Sequence, residues 1–498
     1  MTFSFRRIGF AATASALAAA TTVGLVGTAH AGEATPGAAG IGDQLFPALG
    51  NGGYDATAYE VSLDFRPGVT TMASSVIMHA VATQTMSQFD LDSVGQLIAG
   101  VSVNGKPARF ALHDEELVVT PPSPLPAGHQ FTVTVRYTAD RSQEPASAAF
   151  PDVNLPGNHI KFHNWINTSD GFALLGQPDR AHLFFPCNDH PSDKAQFTFQ
   201  ITVPRGLAAI ANGNLVARVE AGDHSTFTYR TAQPMATQLS QIAVGAFAFV
   251  TQHAPDGPVL RSAVPADRVA ALRPALDRTA SQVTWLRNQL GRAFPFDKYG
   301  VLAVDHNYNG VALETQGLST FSAEELALPE RNSAPVQMHE LVHQYFGDAV
   351  SVRTFSDIWL SEGHAYYYQS RYSAGRGWTS FETAMRQEYE ADAESRQAEG
   401  PPAAPKKAIN VFGSESYTGG GLALYAFEQT VGAQTFRDVE RTFLDRYQSR
   451  SASTEDYINV ANEVTGRDLT GLFRAWLYGA TTPPMAGHPD WKPAPTGS

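Results

Sequence analysis

Apolar and polar side chains alternate strictly at several places in the first half of the chain. Tyr59, Val61, Leu63 and Phe65 are separated by Glu60, Ser62 and Asp64, and the same period of two returns at 131–137 and 197–203. Side chains two apart share one face of a strand, so each run predicts a strand with one buried face. Asn104-Gly105 and Asn212-Gly213 are tight-turn signals of the kind that join paired strands. The pattern therefore predicts an all-β domain over residues 54–252. From about Val264 the period lengthens. Apolar positions recur at helical spacing over 269–290, and again at 333–346, 356–373, 380–395, 420–431, 434–447 and 454–475. Strands are predicted near 299–305 and 315–321. The chain reads as multidomain α+β, with a mainly helical second domain over 253–481. Residues 32–53, rich in Gly, Ala and Pro, read as a flexible lead-in, and 482–498 as an extended tail.

The first 31 residues carry a different pattern. Arg6 and Arg7 precede an Ala-rich apolar stretch, and Ala29-His30-Ala31 is a small-x-small cleavage site. This is the layout of a secretory signal peptide, which predicts a secreted protein starting near Gly32. A retained membrane anchor is the alternative; its Ala and Thr content makes it a weak one. The residues around the arginine pair fit a twin-arginine signal poorly, and the export route stays open. Gly32 rather than a cysteine stands directly after the cleavage site, which excludes a lipid anchor there. No later segment is apolar and long enough to span a membrane, so no membrane attachment is expected after cleavage.

Composition narrows the function. The 498 residues are 43% hydrophobic, which suits a globular chain rather than a disordered one. The net charge is −13, and no run of Lys or Arg offsets it. Such a surface repels phosphate backbones, so nucleic acid is not an expected partner. The lone Cys187 allows neither an intramolecular disulfide nor a zinc cluster built from cysteines, and it reads as a small buried hydrophobe. The acidic run 388–399 reads as a solvated helix face.

The candidate chemistry sits in His339-Glu340-Leu341-Val342-His343, inside a helical pattern that Ser333 can cap and Gly347 can end, with Pro335 in its first turn. Residues four apart share a helix face, so both imidazoles point one way and can bind zinc. Glu340 lies beside them without being a ligand, the position of a general base toward a water on the metal. A catalytic zinc needs a third ligand, and Glu362 follows after 18 residues on a second helix that Ser356 can cap. One zinc ion per chain is expected, held by His339, His343 and Glu362.

At these residues the chain resembles the aminopeptidase N family of zinc metallopeptidases, which includes alanyl aminopeptidase and leukotriene hydrolase. The likeness rests on His-Glu-x-x-His, 18 residues, then Glu within Trp359-Leu360-Ser361-Glu362-Gly363. It extends to 181–197 in the β domain, to Phe294-Pro295-Phe296-Asp297-Lys298-Tyr299, to Val311-Ala312-Leu313-Glu314-Thr315 and to Tyr417-Thr418-Gly419-Gly420. The resemblance implies a thermolysin-like catalytic domain without the long helical domain that larger members add. It implies a secreted zinc aminopeptidase cutting the first bond of peptides with a free N-terminus. Glu340 would be the general base, Tyr417 would stabilise the oxyanion, and Glu314 would hold the α-ammonium. Gln177 would join Glu314 from the β domain.

The match has departures. Leu313 and Thr315 replace the family's Met and Asn around Glu314. His190 stands where the family usually has Glu, and reads as structural. His364 replaces a usual Phe near Glu362 and reads as a non-ligand that lines the pocket or faces solvent. Tyr366, Tyr367 and Tyr368 read as core and cleft wall. Two rivals stay open: an endopeptidase with the same metal chemistry, and a binding protein with a dead catalytic domain. Epoxide hydrolysis, known in one branch of the family, also stays open. The preferred first residue and the oligomeric state are not encoded in any motif found here.

Overall fold

The computed structural model describes residues 33–145, 147, 153–155, 158–160, 163–255, 257–305 and 312–495. The expected signal peptide lies outside the described residues. The first half is built on an eight-stranded sheet. Its strands run in the order Asn214–Ala221, His224–Arg230, Gln196–Pro204, Tyr54–Asp64, Thr71–Ala82, Gln130–Asp140, Leu97–Val103 and Lys106–Pro107. Neighbours are antiparallel except Gln196–Pro204 against Tyr54–Asp64, which are parallel. The register puts Phe199, Val61, Val76, Val135 and Val101 in one row across five strands. All five are buried. A slip of one residue would turn that row to solvent, so the alternation in the sequence also fixes the pairing. Asn104 and Gly105 both take positive φ and close the turn into Lys106–Pro107, as their side chains predict.

Asn212-Gly213 does something else. The strand before it, Ala208–Ala211, pairs with Ile242–Gly245, whereas Asn214–Ala221 pairs with His224–Arg230. The pair marks a corner between two sheets rather than a hairpin. The buried Asn212 amide holds that corner by donating to the carbonyls of Leu239 (3.1 Å) and Gln316 (2.9 Å).

The second half opens with a mixed sheet. Phe247–His253 is antiparallel to Val259–Pro265, which runs parallel to Val301–Val304, itself parallel to Ser319–Ser322. The boundary expected at 252/253 thus falls inside a sheet, at the end of its first strand. Among the described residues the helices are α1 Val269–Leu290, α2 Ala323–Ala327, α3 Glu330–His343, α4 Trp359–Gly375, α5 Phe381–Glu399, α6 Gly420–Val431, α7 Ala433–Tyr447, α8 Thr454–Thr465 and α9 Thr470–Tyr478. The single helical pattern read at 454–475 is two helices, because Gly466 adopts a left-handed conformation and ends α8. Trp359, Tyr367, Phe427, Phe443, Tyr457 and Trp476 form part of one buried core between these helices.

The lead-in expected to be flexible is packed, and the tail expected to be extended is anchored as well. Within 32–53, Asp43, Phe46, Leu49 and Asn51 are buried. Asp43 accepts from the backbone N–H of Phe355 (2.9 Å) and pairs with His190 Nε2 (3.2 Å), and Phe46 packs on Phe355. His190 is therefore a tie for this segment. In the tail, Met485 and Trp491 are buried, and the Tyr425 hydroxyl bonds His488 (2.7 Å). Apolar anchors outweigh the Gly, Ala and Pro composition in both. None of the described helices is long and apolar enough to cross a membrane.

Candidate active site

Helix α3 begins at Glu330, three residues before the predicted cap. Pro329 precedes it, and the hydroxyl of Ser333 is used inside the helix, donating to Leu328 O (3.0 Å). His339 and His343 lie one turn apart near its end, with ring centroids 4.7 Å apart. Gly347, at φ 129°, then turns the chain. A Cβ there would meet Ser361 Oγ at 2.5 Å, so glycine leaves room for Ser361 beside His343. Helix α4 brings Glu362. It is introduced by a short turn capped by Thr354 and Asp357, not by Ser356.

The three expected ligands come together. The Nε2 atoms of His339 and His343 each lie 3.3 Å from Glu362 Oε2. The opposite ring nitrogens are already used. His339 Nδ1 bonds Gln369 Oε1 (2.8 Å), and His343 Nδ1 bonds Ser361 Oγ (2.8 Å). Those bonds place the ring protons on Nδ1 and leave both Nε2 lone pairs facing Glu362. Donors bound to one tetrahedral zinc at about 2.05 Å are about 3.3 Å apart. The donor set and its spacing therefore fit zinc, with His339, His343 and Glu362 as its holders. Burial alone would raise the Glu362 carboxyl, but His343 and the bonds to both imidazoles bring it down to about 2.

Glu340, Glu314 and Tyr417 surround this group. A ligand atom of Glu314, one of Glu340 and one of His343 lie within 4.8 Å of one another. Glu340 is 4% exposed, and burial pushes its carboxyl well above the ordinary range, with Glu314 and Glu362 adding to the effect. Glu314 is equally buried, and its carboxyl is raised mainly by burial. It accepts from Gln177 Nε2 (2.6 Å), and Gln344 Nε2 donates to its backbone carbonyl (3.2 Å). The β domain thus reaches into the site through Gln177.

Tyr417 lies on a π-helical turn, Glu415–Gly419, leading into α6. Its ring stacks on His339, with centroids 5.7 Å apart and planes 16° apart. Burial and the carboxylates of Glu362, Glu314 and Glu340 hold its hydroxyl protonated, as a donor. Gly363 and Gly420 let this turn approach the α4 backbone. A Cβ on Gly363 would meet the backbone of Gly420 at 2.8 Å. Any side chain at either position would push Tyr417 away from Glu362.

The two families of motif also match by direct comparison. The Peptidase M1 N-terminal domain matches residues 56–239, and the Peptidase family M1 domain matches 274–476. The chain belongs to peptidase family M1. The M1 zinc metallopeptidase of Deinococcus radiodurans, solved as a mutant bound to a Tyr-Ser-Ala substrate, superposes with a TM-score of 0.77 at 27% identity, covering 90% of this chain and 100% of that one. Probable aminopeptidase 2 of Sulfurisphaera tokodaii is 24% identical over 408 residues, which is 79% of this chain and 50% of that protein. Aminopeptidase M1-C of rice (Oryza sativa subsp. japonica) is 26% identical over 327 residues, 62% of this chain and 37% of that protein. The chain thus spans between about a third and a half of the length of these curated relatives.

Other residues singled out in this M1 sequence fall elsewhere. His364 neither faces solvent nor lines the cleft. It is fully buried, its Nδ1 donating to Leu360 O (2.7 Å) and its Nε2 lying 3.1 Å from Glu440. Tyr367 and Tyr368 are core, and Cys187 is buried. The run 388–399 is not a plain solvated face, because Asp392 is buried and binds the buried Arg396. Gln369, Ser361 and Gln344 were missed. Gln369 had a signal: it lies two helical turns after Glu362, on the same face of α4.

Proposed function

We propose that this chain is a zinc aminopeptidase that hydrolyses the first peptide bond of peptides with a free N-terminus. The observation that carries the reading is Glu314, a carboxylate 4% exposed beside the metal-binding triad and joined by Gln177. An ammonium held there by charge-assisted hydrogen bonds puts the first peptide bond, and no other, at the metal. Zinc, when bound, would supply a Lewis acid for the scissile carbonyl and lower the pKa of water at the site. Glu340 would take the proton from the attacking water and hand it to the leaving amine; its raised pKa suits a group that must hold a proton between the two steps. Tyr417, kept protonated, would donate to the oxyanion. The M1 relatives named as aminopeptidases, and the Deinococcus structure with a tripeptide, support this reading. We also propose that the Arg6-Arg7 segment directs export and that the mature enzyme is secreted.

The test is hydrolysis of a panel of aminoacyl-arylamides, with and without a zinc chelator, beside an N-acetylated peptide of the same sequence. Chelator-sensitive release from free-amine substrates alone is the expected result. Cleavage of the acetylated peptide would instead identify an endopeptidase.

A further inference from the structure

The outer partners of the two imidazoles are all neutral. His339 Nδ1 bonds the Gln369 side-chain carbonyl (2.8 Å), and His343 Nδ1 bonds the Ser361 hydroxyl (2.8 Å) and the Phe346 carbonyl (3.2 Å). Ser361 in turn donates to Phe346 O (3.0 Å), so towards His343 its oxygen acts as the acceptor. His343 is buried and its partners are fixed by the turn at Gly347. His339 is different. Its side chain is 12% exposed at the cleft, and Gln369 is the partner the structure gives to its Nδ1. The amide could in principle meet the ring by either end. Only the carbonyl end accepts a proton from Nδ1 and so leaves Nε2 free to bind a metal.

Resting on the zinc reading above, we propose that Gln369 is the positioning residue that sets how tightly His339 grips zinc, and that its neutrality keeps this zinc readily exchangeable. A carboxylate at the same point would polarise the Nδ1–H bond, make the ring a stronger donor and tighten the ion. An amide orients the ring without adding charge. Groups in this outer position typically change metal affinity by about 10–100-fold when removed.

The experiment measures the zinc dissociation constant of the full-length mature protein by competition with a chromophoric chelator, and the melting temperature of the metal-free form. Gln369→Leu is expected to weaken zinc by about 10–100-fold, and Gln369→Glu to tighten it by about tenfold. The opposite signs matter, because damage to the fold weakens binding in both variants. If Gln369→Leu does not fold, Gln369→Glu decides alone. Zinc affinity within about twofold of wild type in either folded variant would overturn the proposal, as would weaker binding in Gln369→Glu. A wild-type protein that takes up no zinc would overturn the functional reading as well, so the two failures are distinct.

Discussion

Replacing Glu314 by Gln removes one charge and almost no volume. In the folded protein that charge is 4% exposed and accepts a hydrogen bond from Gln177, so a substrate ammonium meeting it is largely stripped of water. In the variant the ammonium would face two neutral amides. Losing the charged partner of a desolvated ion pair costs about 2–5 kcal/mol. At 1.4 kcal/mol per factor of ten, kcat/KM on a free-amine arylamide should fall by roughly 30- to 3,000-fold. Two controls isolate the cause. Zinc content should stay at wild-type level, because Glu314 is outside the His339–His343–Glu362 triad. Any slow cleavage of an N-acetylated peptide should be unchanged or faster, because the carboxylate that repels an uncharged chain end is gone. Free-amine kcat/KM within about threefold of wild type, at full zinc occupancy, would refute the assignment of Glu314.

Tyr417→Phe should retain zinc and lose about 10²–10³ in kcat, since ring stacking on His339 survives and only the donor is deleted; steady-state kinetics with metal analysis checks this. Stripping zinc should lower the melting temperature, and readdition at a thousandfold excess over its dissociation constant should restore about 4 kcal/mol, read by thermal melts against free zinc. Arg396→Met should cost about 3–5 kcal/mol in urea unfolding, because it leaves the buried Asp392 carboxylate unpaired. His182 should make stability fall as pH rises. Burial alone would lower its pKa, but Asp189 and Glu115 lift it from 6.5 to about 10, so its contribution is complete below about 6.5 and lost on approaching 10. The stability gap between wild type and His182→Gln should accordingly close between about pH 6 and about pH 10.

The parts of this molecule that were legible in the sequence are those with a short repeat or a fixed spacing. Alternation at 59–65 and 197–203 gave strands, and the register then followed from keeping Val61 and Phe199 inside. The i, i+4 histidines were legible from helical spacing, and Glu362 as the third ligand a catalytic zinc needs, at the place the family resemblance gives it. Glu314, Tyr417 and Gln177 were legible only through resemblance, because a single Glu, Tyr or Gln has no period. What misled was composition. Gly, Ala and Pro in 32–53 read as flexible, yet Phe46 and Asp43 anchor that segment by contacts with Phe355, more than 300 residues away. Asn212-Gly213 was misread for a related reason: the same turn chemistry serves a hairpin and a corner, and the partner strand decides between them. Gln369 and Ser361 were missed because an outer hydrogen bond imposes no residue type strong enough to stand out.

The bond from Gln177 to Glu314 joins residues 137 apart in sequence and on different sides of the molecule's main division. If Glu314 holds the substrate ammonium as proposed, selectivity for a free amine depends on how the two halves pack together. His339, His343, Glu362, Glu340 and Tyr417 all lie in the second half, whereas the carboxylate of Glu314 takes its Gln177 partner from the first. The pairing forms only where the two halves meet, so it depends on how they pack as much as on either half's own residues.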